Sequence, residues 1–454
     1  MYNIVIIGAS LGWTPTLTAD LMSVFKEQLH IRLVDLDRSA SETCKQWGEA
    51  AARHYGRKDT FTVYDDRREA LKGADAVIIT ISTGGLETMA YDIQIPEKYG
   101  IFATVGDTAG PSGWSRSIRN IPVFQQFAAD FDELCPDAFI ANYTNPMSSL
   151  TATLAQSCRN PVAGLCHSYF EMKDVMQHIF GLDDWSKISL QIAGMNHFTW
   201  LLDFKIGRED GYKLLRDKIG DGSLADLLPA GNDDKYYNSR HELCAELYDT
   251  YGYMPYPGDR HTCEFLPYTL SGFPDRYTLT NNAGESFDTI RYCNMKRTAI
   301  EQRLDGARRR KDEIRGIVSN FAASAPPQLP RSRETGAEMV HAYLTNEAMT
   351  EVVNVPNIGQ IPGLPLGACV ETFGMIDGLG VRPLVVPNVP EPLLEVMRPQ
   401  AVNQKWVTEG AMTRNRDTLL QALYNDPQCR HLQPKQVREL ADELIAANKP
   451  YIAL

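Results

Sequence analysis

The stretch NIVIIGASLGWT, residues 3–14, decides the fold of this chain. An apolar run over residues 3–8 leads into a glycine-containing turn, and a helical pattern follows from Pro15 to about Gln28. A second apolar run, HIRLVDLD over residues 30–37, then ends in acidic residues. A buried strand, a tight turn, a helix and a second strand ending in an acid are typical of a dinucleotide-binding βαβ unit.

The turn departs from the usual G-x-G-x-x-G spacing, because Ser10 stands at the second glycine position and Gly12 comes one place early. We expect Gly8, Ser10 and Leu11 to contact the cofactor. Asp35, with Asp37 as second choice, would accept hydrogen bonds from the adenosine ribose and disfavour a 2′-phosphate, which indicates NAD. A doubly wound sheet that binds no nucleotide is the alternative.

Later strands supply further candidate residues. The runs ADAVIITIS (74–82) and AFIANYTNP (138–146) both end in small polar residues, and such sheets bind ligands at the carboxyl ends of their strands. We therefore expect Thr80, Ser82 and Gly84 to line the cofactor. Asn145 should lie near the nicotinamide and the substrate.

The pattern predicts an α/β protein of lactate/malate dehydrogenase-like architecture. Two more strands, in NPVAGLC and KISLQIAGMNHFTW, extend an N-terminal Rossmann-type doubly wound sheet to about residue 195. Residues 196–454 would form a mixed α+β domain for substrate, metal and oligomer contacts. Within it, residues 286–321 read as a long charged amphipathic helix, or two.

Composition excludes several classes of protein. The chain has 454 residues, 43% hydrophobic, and a net charge of −12, which disfavours nucleic acid and anionic membranes as partners. No apolar run approaches the roughly 20 residues that a membrane span needs. Nine cysteines without paired spacing, and no secretion signal, indicate reduced thiols in the cytoplasm.

Two residues suggest a metal. Cys166 in PVAGLCHSYF ends one strand, and His197 in AGMNHFTW ends the next, so neighbouring strand ends could bring both to one ion. Two protein ligands would leave positions for substrate oxygens and water, as catalytic sites do. Thiolate suits zinc or iron, and sugar hydroxyls suit Mn²⁺ or Mg²⁺. The alternatives are a small buried cysteine and a hydrogen-bonded histidine.

Three functions fit these residues: a 2-hydroxy acid dehydrogenase, an enzyme that uses NAD as a recycled oxidant, and a nucleotide-sensing regulator. The combined motifs resemble glycoside hydrolase family 4. They are GLCHS, GMNHFTW, TNPM (144–147), VGDTAGPSGWSRSIRNIPVF (105–124) and VNVPNIGQI (353–361). Within the family, PGDRHTCEFLP (257–267) is most similar to the α-galacturonidase branch.

The resemblance implies a mechanism and roles. Family members pass a hydride from sugar C3 to NAD⁺, so the C2 proton becomes acidic, the aglycone is eliminated, water adds and the hydride returns. A divalent metal such as Mn²⁺, held by Cys166 and His197, would polarise the C3 oxygen. His167 would protonate the leaving oxygen. Asp259 would remove the C2 proton, with three tyrosines as rivals: Tyr251, Tyr253 and Tyr256.

The substrate class follows from positive charge. Phospho-sugar members carry an arginine soon after the glycine pair that follows the fourth strand, where STGGLETMAYD offers only Met89. We expect a C6 carboxylate instead, bound by Arg116, Arg119, Arg260 and His261. A uronide fits these residues best, and the likeness to the α-galacturonidase branch implies a galacturonide rather than a glucuronide. Alternatives are an α-glucuronide, α-galactoside or α-glucoside by the same mechanism. Family members are usually dimers or tetramers, so a homodimer or homotetramer is expected.

Overall fold

A computed structural model describes residues 1–166, 168–229, 241–270, 276–280, 286–290, 295–296 and 300–452. Its strands in chain order are β1 Tyr2–Ile7, β2 Leu29–Val34, β3 Thr60–Tyr64, β4 Ala76–Ile79, β5 Phe139–Asn142, β6 Val162–Gly164, β7 Ile188–Met195, β8 Phe198–Ile206, β9 Glu209–Asp210, β10 Met254–Pro255, β11 Arg276–Thr280, β12 Ser286–Ile290, β13 Met295–Lys296, β14 Met349–Pro356, β15 Cys369–Asp377 and β16 Gly380–Pro383.

The helices connect and cover these strands. They are α1 Thr14–Val24, α2 Arg38–His54, α3 Arg67–Leu71, α4 Gly85–Glu97, α5 Gly110–Leu134, α6 Met147–Ser157, α7 Ser168–Phe180, α8 Gly211–Ile219, α9 Glu242–Tyr251, α10 Asp259–Thr262, α11 Pro267–Leu270, α12 Ile300–Ser319, α13 Phe321–Ser324, α14 Gly336–Thr345, α15 Glu391–Thr413, α16 Arg416–Asn425 and α17 Pro434–Asn448. Among the described helices, none is both long and apolar enough to cross a lipid bilayer.

The N-terminal half forms the parallel part of the main sheet. Its strands lie in the order β3-β2-β1-β4-β5-β6, and every neighbouring pair in this series is parallel. Strand order reverses between β1 and β4, because the chain first builds outward to β3 and then returns to the other side of β1. Such a reversal opens a crevice at the carboxyl ends of the strands, where these sheets bind ligands. The predicted Rossmann-type sheet is therefore present.

The sheet continues through strands from the C-terminal half, which corrects one expectation. Beyond β6 the order is β14, β15, β7, β8 and β10, all antiparallel to their neighbours. The strands that lead to Cys166 and His197, β6 and β7, are thus not neighbours, since β14 and β15 lie between them. The expectation of adjacent strand ends was wrong. The reason is that the local sequence pattern does not reveal the insertion of two strands from nearly 200 residues downstream.

Apolar cores cover the two faces of the parallel sheet. One contains Leu17 and Leu21 of α1 with Met339 and Val340 of α14, and the other joins α5 to α15, α16 and α17. Helices from the C-terminal half therefore complete the core of the N-terminal half. The division at residue 195 remains a prediction; this position is the last of β7, in the β7–β8 hairpin.

One helix starts later than expected. Residues 286–290 form β12 and residues 295–296 form β13, so the charged helix α12 begins only at Ile300. The prediction of helix from residue 286 was wrong at its N-terminal end. Residues 286–296, SFDTIRYCNMK, are richer in β-branched and aromatic residues than the charged stretch that follows, which favours strand there.

Candidate functional site

The backbone of the turn after β1 lies very close to the backbone at the end of β4. Gly8 has a φ of +91°, and a Cβ at this position would lie 2.5 Å from the backbone oxygen of Thr80. The hydroxyl of Thr80 donates a hydrogen bond to the carbonyl of Gly8, with 2.7 Å between the oxygens. Only glycine combines this conformation with this contact. The turn therefore packs directly onto the end of β4.

A cavity of about 800 Å³ opens at the carboxyl ends of the parallel strands. Six of the residues expected to contact the cofactor line it: Gly8, Ser10, Asp35, Thr80, Ser82 and Gly84. Leu11 does not line the cavity, since its side chain is 2% exposed and packs in the core. Asp37 caps α2 by accepting a hydrogen bond from the backbone N–H of Ala40 and does not line the cavity, so of the two acids expected to bind the ribose Asp35 is the one at the cavity.

The other end of the same cavity holds residues expected to bind substrate and metal. Arg116, Asn145, Cys166 and His197 line it. The Nε of Arg116 donates to the backbone oxygen of Asn145 at 3.0 Å, which ties α5 to the segment after β5. The cavity therefore runs without interruption from the predicted dinucleotide turn to the predicted metal ligands.

His197 lies in the tight turn between β7 and β8. Its φ is 65°, a left-handed conformation that is uncommon for a residue other than glycine. Its Nδ1 lies 2.9 Å from the hydroxyl of Thr108, and that hydroxyl donates to Oδ1 of Asp107 at 2.6 Å. Non-glycine residues held in such a conformation cluster at functional sites.

Asp107, His197 and His261 form a compact cluster of possible metal ligands. One ligand atom from each lies within 4.8 Å of the others. The His197 and His261 ring centroids are 3.8 Å apart, and Nδ1 of His261 is buried without a hydrogen-bond partner among the described residues. Burial, together with the charge of His197, lowers the pKa of His261 well below its usual value, so the ring is neutral and offers a lone pair.

Asp107 carries the negative charge of the cluster. Burial opposes its ionisation, but His261, His197 and Arg116 outweigh this and hold the pKa of the carboxyl below its usual range. Carboxylate oxygen and imidazole nitrogen are harder ligands than thiolate sulfur. One carboxylate and two imidazoles therefore suit a hard divalent ion better than a set of thiolates would. An unpartnered, buried imidazole nitrogen beside a carboxylate fits a bound metal.

Cys166 lies in the same cavity as one member of the cluster. It lines the cavity with His197, and a negative charge on Cys166 raises the pKa of Tyr256, whose ring centroid is 6.4 Å from that of His197. Cys166 and His197 therefore face one cavity although their strands are not neighbours. His167 lies outside the described residues.

Asp259, the expected base, has a different environment. Its two carboxylate oxygens accept hydrogen bonds from the backbone N–H groups of Leu243 and Cys244, each at 3.0 Å. Burial raises its pKa to about 7. It is 1% exposed and does not line the cavity. This geometry gives Asp259 the position of a cap on α9 and argues against contact with a sugar C2.

Two expected substrate ligands, Arg119 and Arg260, do not line the cavity. The guanidinium of Arg119 is fully buried, donates to Asp92 at 2.7 Å and is also bonded to the backbone of Thr83. Arg260 donates to the backbone oxygen of Thr104 at 3.1 Å. The first pairs α5 with α4 and the second holds the loop before Asp107, so this geometry supports structural roles for both.

The sequence analysis missed three residues of the site. Asp107 and Thr108 stand in the quoted motif VGDTAGP, and an acid between glycines just before a helix was a usable signal. Arg303 of α12 had no comparable signal in the sequence. Its Nη1 lies 3.4 Å from the sulfur of Met89, and its charge acts on both Arg116 and His261. An arginine from the C-terminal half thus lies beside Met89, where the sequence offered no local arginine.

The fold and this site define a class of protein. The model of the family 4 glycosyl hydrolases matches residues 3–182, and the model of the C-terminal domain of that family matches residues 192–429. The chain belongs to this family. The predicted family and the predicted fold class are both confirmed.

Particular relatives are similar over nearly the whole chain. An alpha-galacturonidase of Thermoanaerobacter italicus is 29% identical, covering 98% of this chain and 96% of its own. The structure of the putative glucosidase lplD from Bacillus subtilis has a TM-score of 0.85 at 27% identity, covering 98% and 99% of the two chains. The 6-phospho-beta glucosidase of Thermotoga maritima, solved with manganese, NAD⁺ and glucose-6-phosphate, has a TM-score of 0.77 at 18% identity, covering 99% of each.

Proposed function

We propose that this protein is an NAD- and divalent-metal-dependent glycosidase that hydrolyses α-galacturonides. The observation that carries the proposal is the single cavity that joins the turn at Gly8 to Cys166 and His197, the second of which belongs to the cluster with Asp107 and His261. A dehydrogenase of hydroxy acids has no need of a metal cluster beside its nicotinamide. An ordinary glycosidase with two carboxylates has no need of a dinucleotide turn.

The cofactor would lie along the parallel strands. Gly8 and Ser10 would admit its phosphates, Asp35 its ribose hydroxyls, and Thr80, Ser82 and Gly84 its nicotinamide half. Manganese and NAD⁺ are present in the solved relative from Thermotoga maritima, which supports the same pair here. When bound, NAD⁺ supplies a hydride acceptor at sugar C3, and the divalent ion supplies Lewis acidity at the neighbouring oxygens.

The metal would be held by Cys166 and His197, the residues expected from the sequence, and by Asp107 and His261, which complete the cluster. Their positions leave Asn145 and Arg116 on the open side of the cavity for sugar hydroxyls. His167 follows Cys166 directly and remains the proposed proton donor to the leaving oxygen.

We propose Tyr256 as the group that removes the C2 proton. Of the four candidates, Asp259 uses both oxygens on backbone amides, and Tyr251 and Tyr253 pack against Trp200 and Tyr212. Tyr256 is also buried and outside the cavity lining, but its ring centroid lies 6.4 Å from that of His197, which lines the cavity, and 6.3 Å from that of His261. A base next to the metal cluster would act where that proton is most acidic.

Positive charge supports a uronide as the substrate. Asp107 and Asp92 place negative charge near Arg116, which lines the cavity. Arg303 of α12 also acts on Arg116, so two guanidinium groups contribute positive charge at this part of the site. A substrate carboxylate at C6 would balance them. The alpha-galacturonidase relative of Thermoanaerobacter italicus supports galacturonide over glucuronide.

The test is an isotope experiment. The protein is incubated with NAD⁺, Mn²⁺ and an α-galacturonide in D₂O, and the released sugar is analysed by NMR for deuterium at C2. We expect deuterium at C2, release that requires both NAD⁺ and Mn²⁺, and no net change in the nicotinamide spectrum at completion. An α-glucuronide, an α-galactoside and an α-glucoside serve as competing substrates.

Two results would contradict the proposal. Net accumulation of NADH without sugar release would favour the 2-hydroxy acid dehydrogenase. Faster release from the α-galactoside than from the α-galacturonide would keep the mechanism and overturn the substrate.

A further inference from the structure

The hydroxyl of Thr108 forms a short hydrogen-bonded chain with two members of the candidate metal cluster. The hydroxyl of Thr108 lies 2.6 Å from Oδ1 of Asp107 and 2.9 Å from Nδ1 of His197. Thr108 is 4% exposed and His197 is 7% exposed. These contacts lie out of bulk water, so each donor must meet an acceptor to avoid the cost of an unpaired buried polar group.

The direction of each hydrogen bond follows from counting protons. A threonine hydroxyl has one proton to donate, and an ionised aspartate can only accept. The proton of Thr108 therefore points at Asp107, and the hydroxyl oxygen is left to accept. The group that donates to it must be Nδ1–H of His197. In the neutral ring, the lone pair then lies on the other nitrogen, Nε2.

We propose that Thr108 is a positioning residue that fixes the tautomer of His197, so that Nε2 is the nitrogen available to a divalent metal. The inference rests on the proposed function, because it concerns the metal that we assign to this cluster. Histidine ligands in metal sites are commonly oriented by an acceptor on the other ring nitrogen. Here that acceptor is a neutral hydroxyl which is itself oriented by Asp107.

The same contact links two ligands of the cluster. Asp107 and Thr108 are consecutive residues before α5, and His197 lies in the turn between β7 and β8. The hydroxyl of Thr108 is thus the direct bridge between the loop that carries the carboxylate and the turn that carries the imidazole. Removing it frees the ring of His197 to rotate and to exchange tautomers.

The test compares three variants by Mn²⁺ affinity, measured as free Mn²⁺ by electron paramagnetic resonance, and by NAD⁺ affinity, measured by calorimetry. Thr108→Val removes the hydroxyl and keeps the shape, and Thr108→Ser keeps the hydroxyl. Thr199→Val is the matched control, because Thr199 is two residues from His197 and its buried hydroxyl has no hydrogen-bond partner among the described residues.

We expect Thr108→Val to weaken Mn²⁺ binding by about 10- to 100-fold with NAD⁺ affinity unchanged, as for other groups that orient metal ligands. Thr108→Ser and Thr199→Val should bind Mn²⁺ as the wild-type protein does. If Thr108→Val binds Mn²⁺ with wild-type affinity, the role of Thr108 is overturned but the proposed function is not. An equal loss of Mn²⁺ and NAD⁺ affinity, or failure of Thr108→Ser to restore binding, would indicate a packing role and also overturn it. A wild-type protein that binds no Mn²⁺ would overturn the proposed function itself.

Discussion

Glu264 shows how a single buried side chain holds the loop of the candidate metal cluster. Its Oε1 accepts hydrogen bonds from the backbone N–H groups of Val105 and Gly106 and from the hydroxyl of Thr104. It is 1% exposed. These bonds fix the backbone immediately before Asp107, so the position of that carboxylate depends on a residue that belongs to the C-terminal half.

Glu264 also gives a pH-dependent stability. Burial raises its pKa from the usual 4.5 to about 7, because the charged form loses hydration. Between these values the folded state binds a proton that the unfolded state has released, so stability falls as pH rises through this range. Glu264→Gln keeps the acceptor oxygen but cannot ionise. We expect the variant to gain stability relative to the wild type from pH 5 to pH 8, by at most about 3 kcal/mol.

The measurement is the thermal midpoint of both proteins at the two pH values. A difference between the midpoints that stays constant with pH would show that Glu264 does not ionise across this range in the folded protein. Glu264→Ala is expected to be the more damaging change at both pH values, because it removes the acceptor of two buried backbone donors, the N–H groups of Val105 and Gly106.

Substitutions at Tyr256 and Asp259 distinguish the roles of the two residues. We expect Tyr256→Phe to lower exchange of the C2 proton by about 100-fold or more, as loss of a general base does, with the thermal midpoint unchanged. Asp259→Asn should cost about 1–2 kcal/mol of stability, since it weakens the bonds to the start of α9. Tyr253→Phe is the control. If Asp259→Asn abolishes exchange in a protein of normal stability, the roles are reversed.

Single residues differed in how far the sequence could predict them. Gly8, Asp35 and His197 stand at strand ends, and strand ends define the site in this fold, so their places followed from pattern. Asp259 and Arg119 are charged residues in matching motifs, yet both are bonded to other protein groups. Sequence shows that a charge is present but not which partner satisfies it.

Helix α12 is the element that brings an unexpected charge close to Arg116 and His261. It starts at Ile300 and carries Arg303 within 3.4 Å of the sulfur of Met89. Further along the same helix, Arg308 is exposed and pairs with Asp305. One end of α12 thus lies beside the site, its Ile314 packs in the core with α1 and α14, and Arg308 belongs to its solvated face.

Arg303 is expected to recognise the substrate carboxylate. Arg303→Ala should raise KM for an α-galacturonide by about 10-fold or more, the scale of a lost charge-assisted hydrogen bond, with little effect on a neutral α-galactoside. Arg308→Ala is the matched control from the same helix. Steady-state kinetics on both sugars checks this, and an equal change in KM for the two would contradict a role in carboxylate recognition.

The strand pair β14–β15 could be predicted as strands but not placed. Each is a short, apolar, β-branched run, for example TEVVNVP at 350–356. Its partners are β6 and β7, which are separated from it by more than 150 residues. Pairing over such distances is decided by tertiary packing, so local pattern indicates a strand but not which strands lie beside it.

At the scale of the whole molecule, the two halves share one sheet and common cores. Strands β14 and β15 of the C-terminal half lie between β6 and β7 of the N-terminal half, and α17 packs with α5 on the face of the sheet. We therefore expect one cooperative thermal transition rather than two. NAD⁺ at about 100 times its Kd should stabilise the folded state by about 2.7 kcal/mol and shift the whole transition upward.

Scanning calorimetry with and without NAD⁺ checks this expectation. Two resolved transitions, only one of which moves with NAD⁺, would show that the halves unfold independently in spite of their shared sheet.

The inserted pair β14–β15 limits how this enzyme can be recombined. A chimera that joined residues 1–195 to the remainder of a distant relative would place foreign strands between the flank that bears Cys166 and the hairpin that bears His197. Exchange of specificity is therefore better attempted by grafting surface loops or α12 than by swapping halves, because any crossover near residue 195 cuts through the sheet on which both sides of the site are mounted.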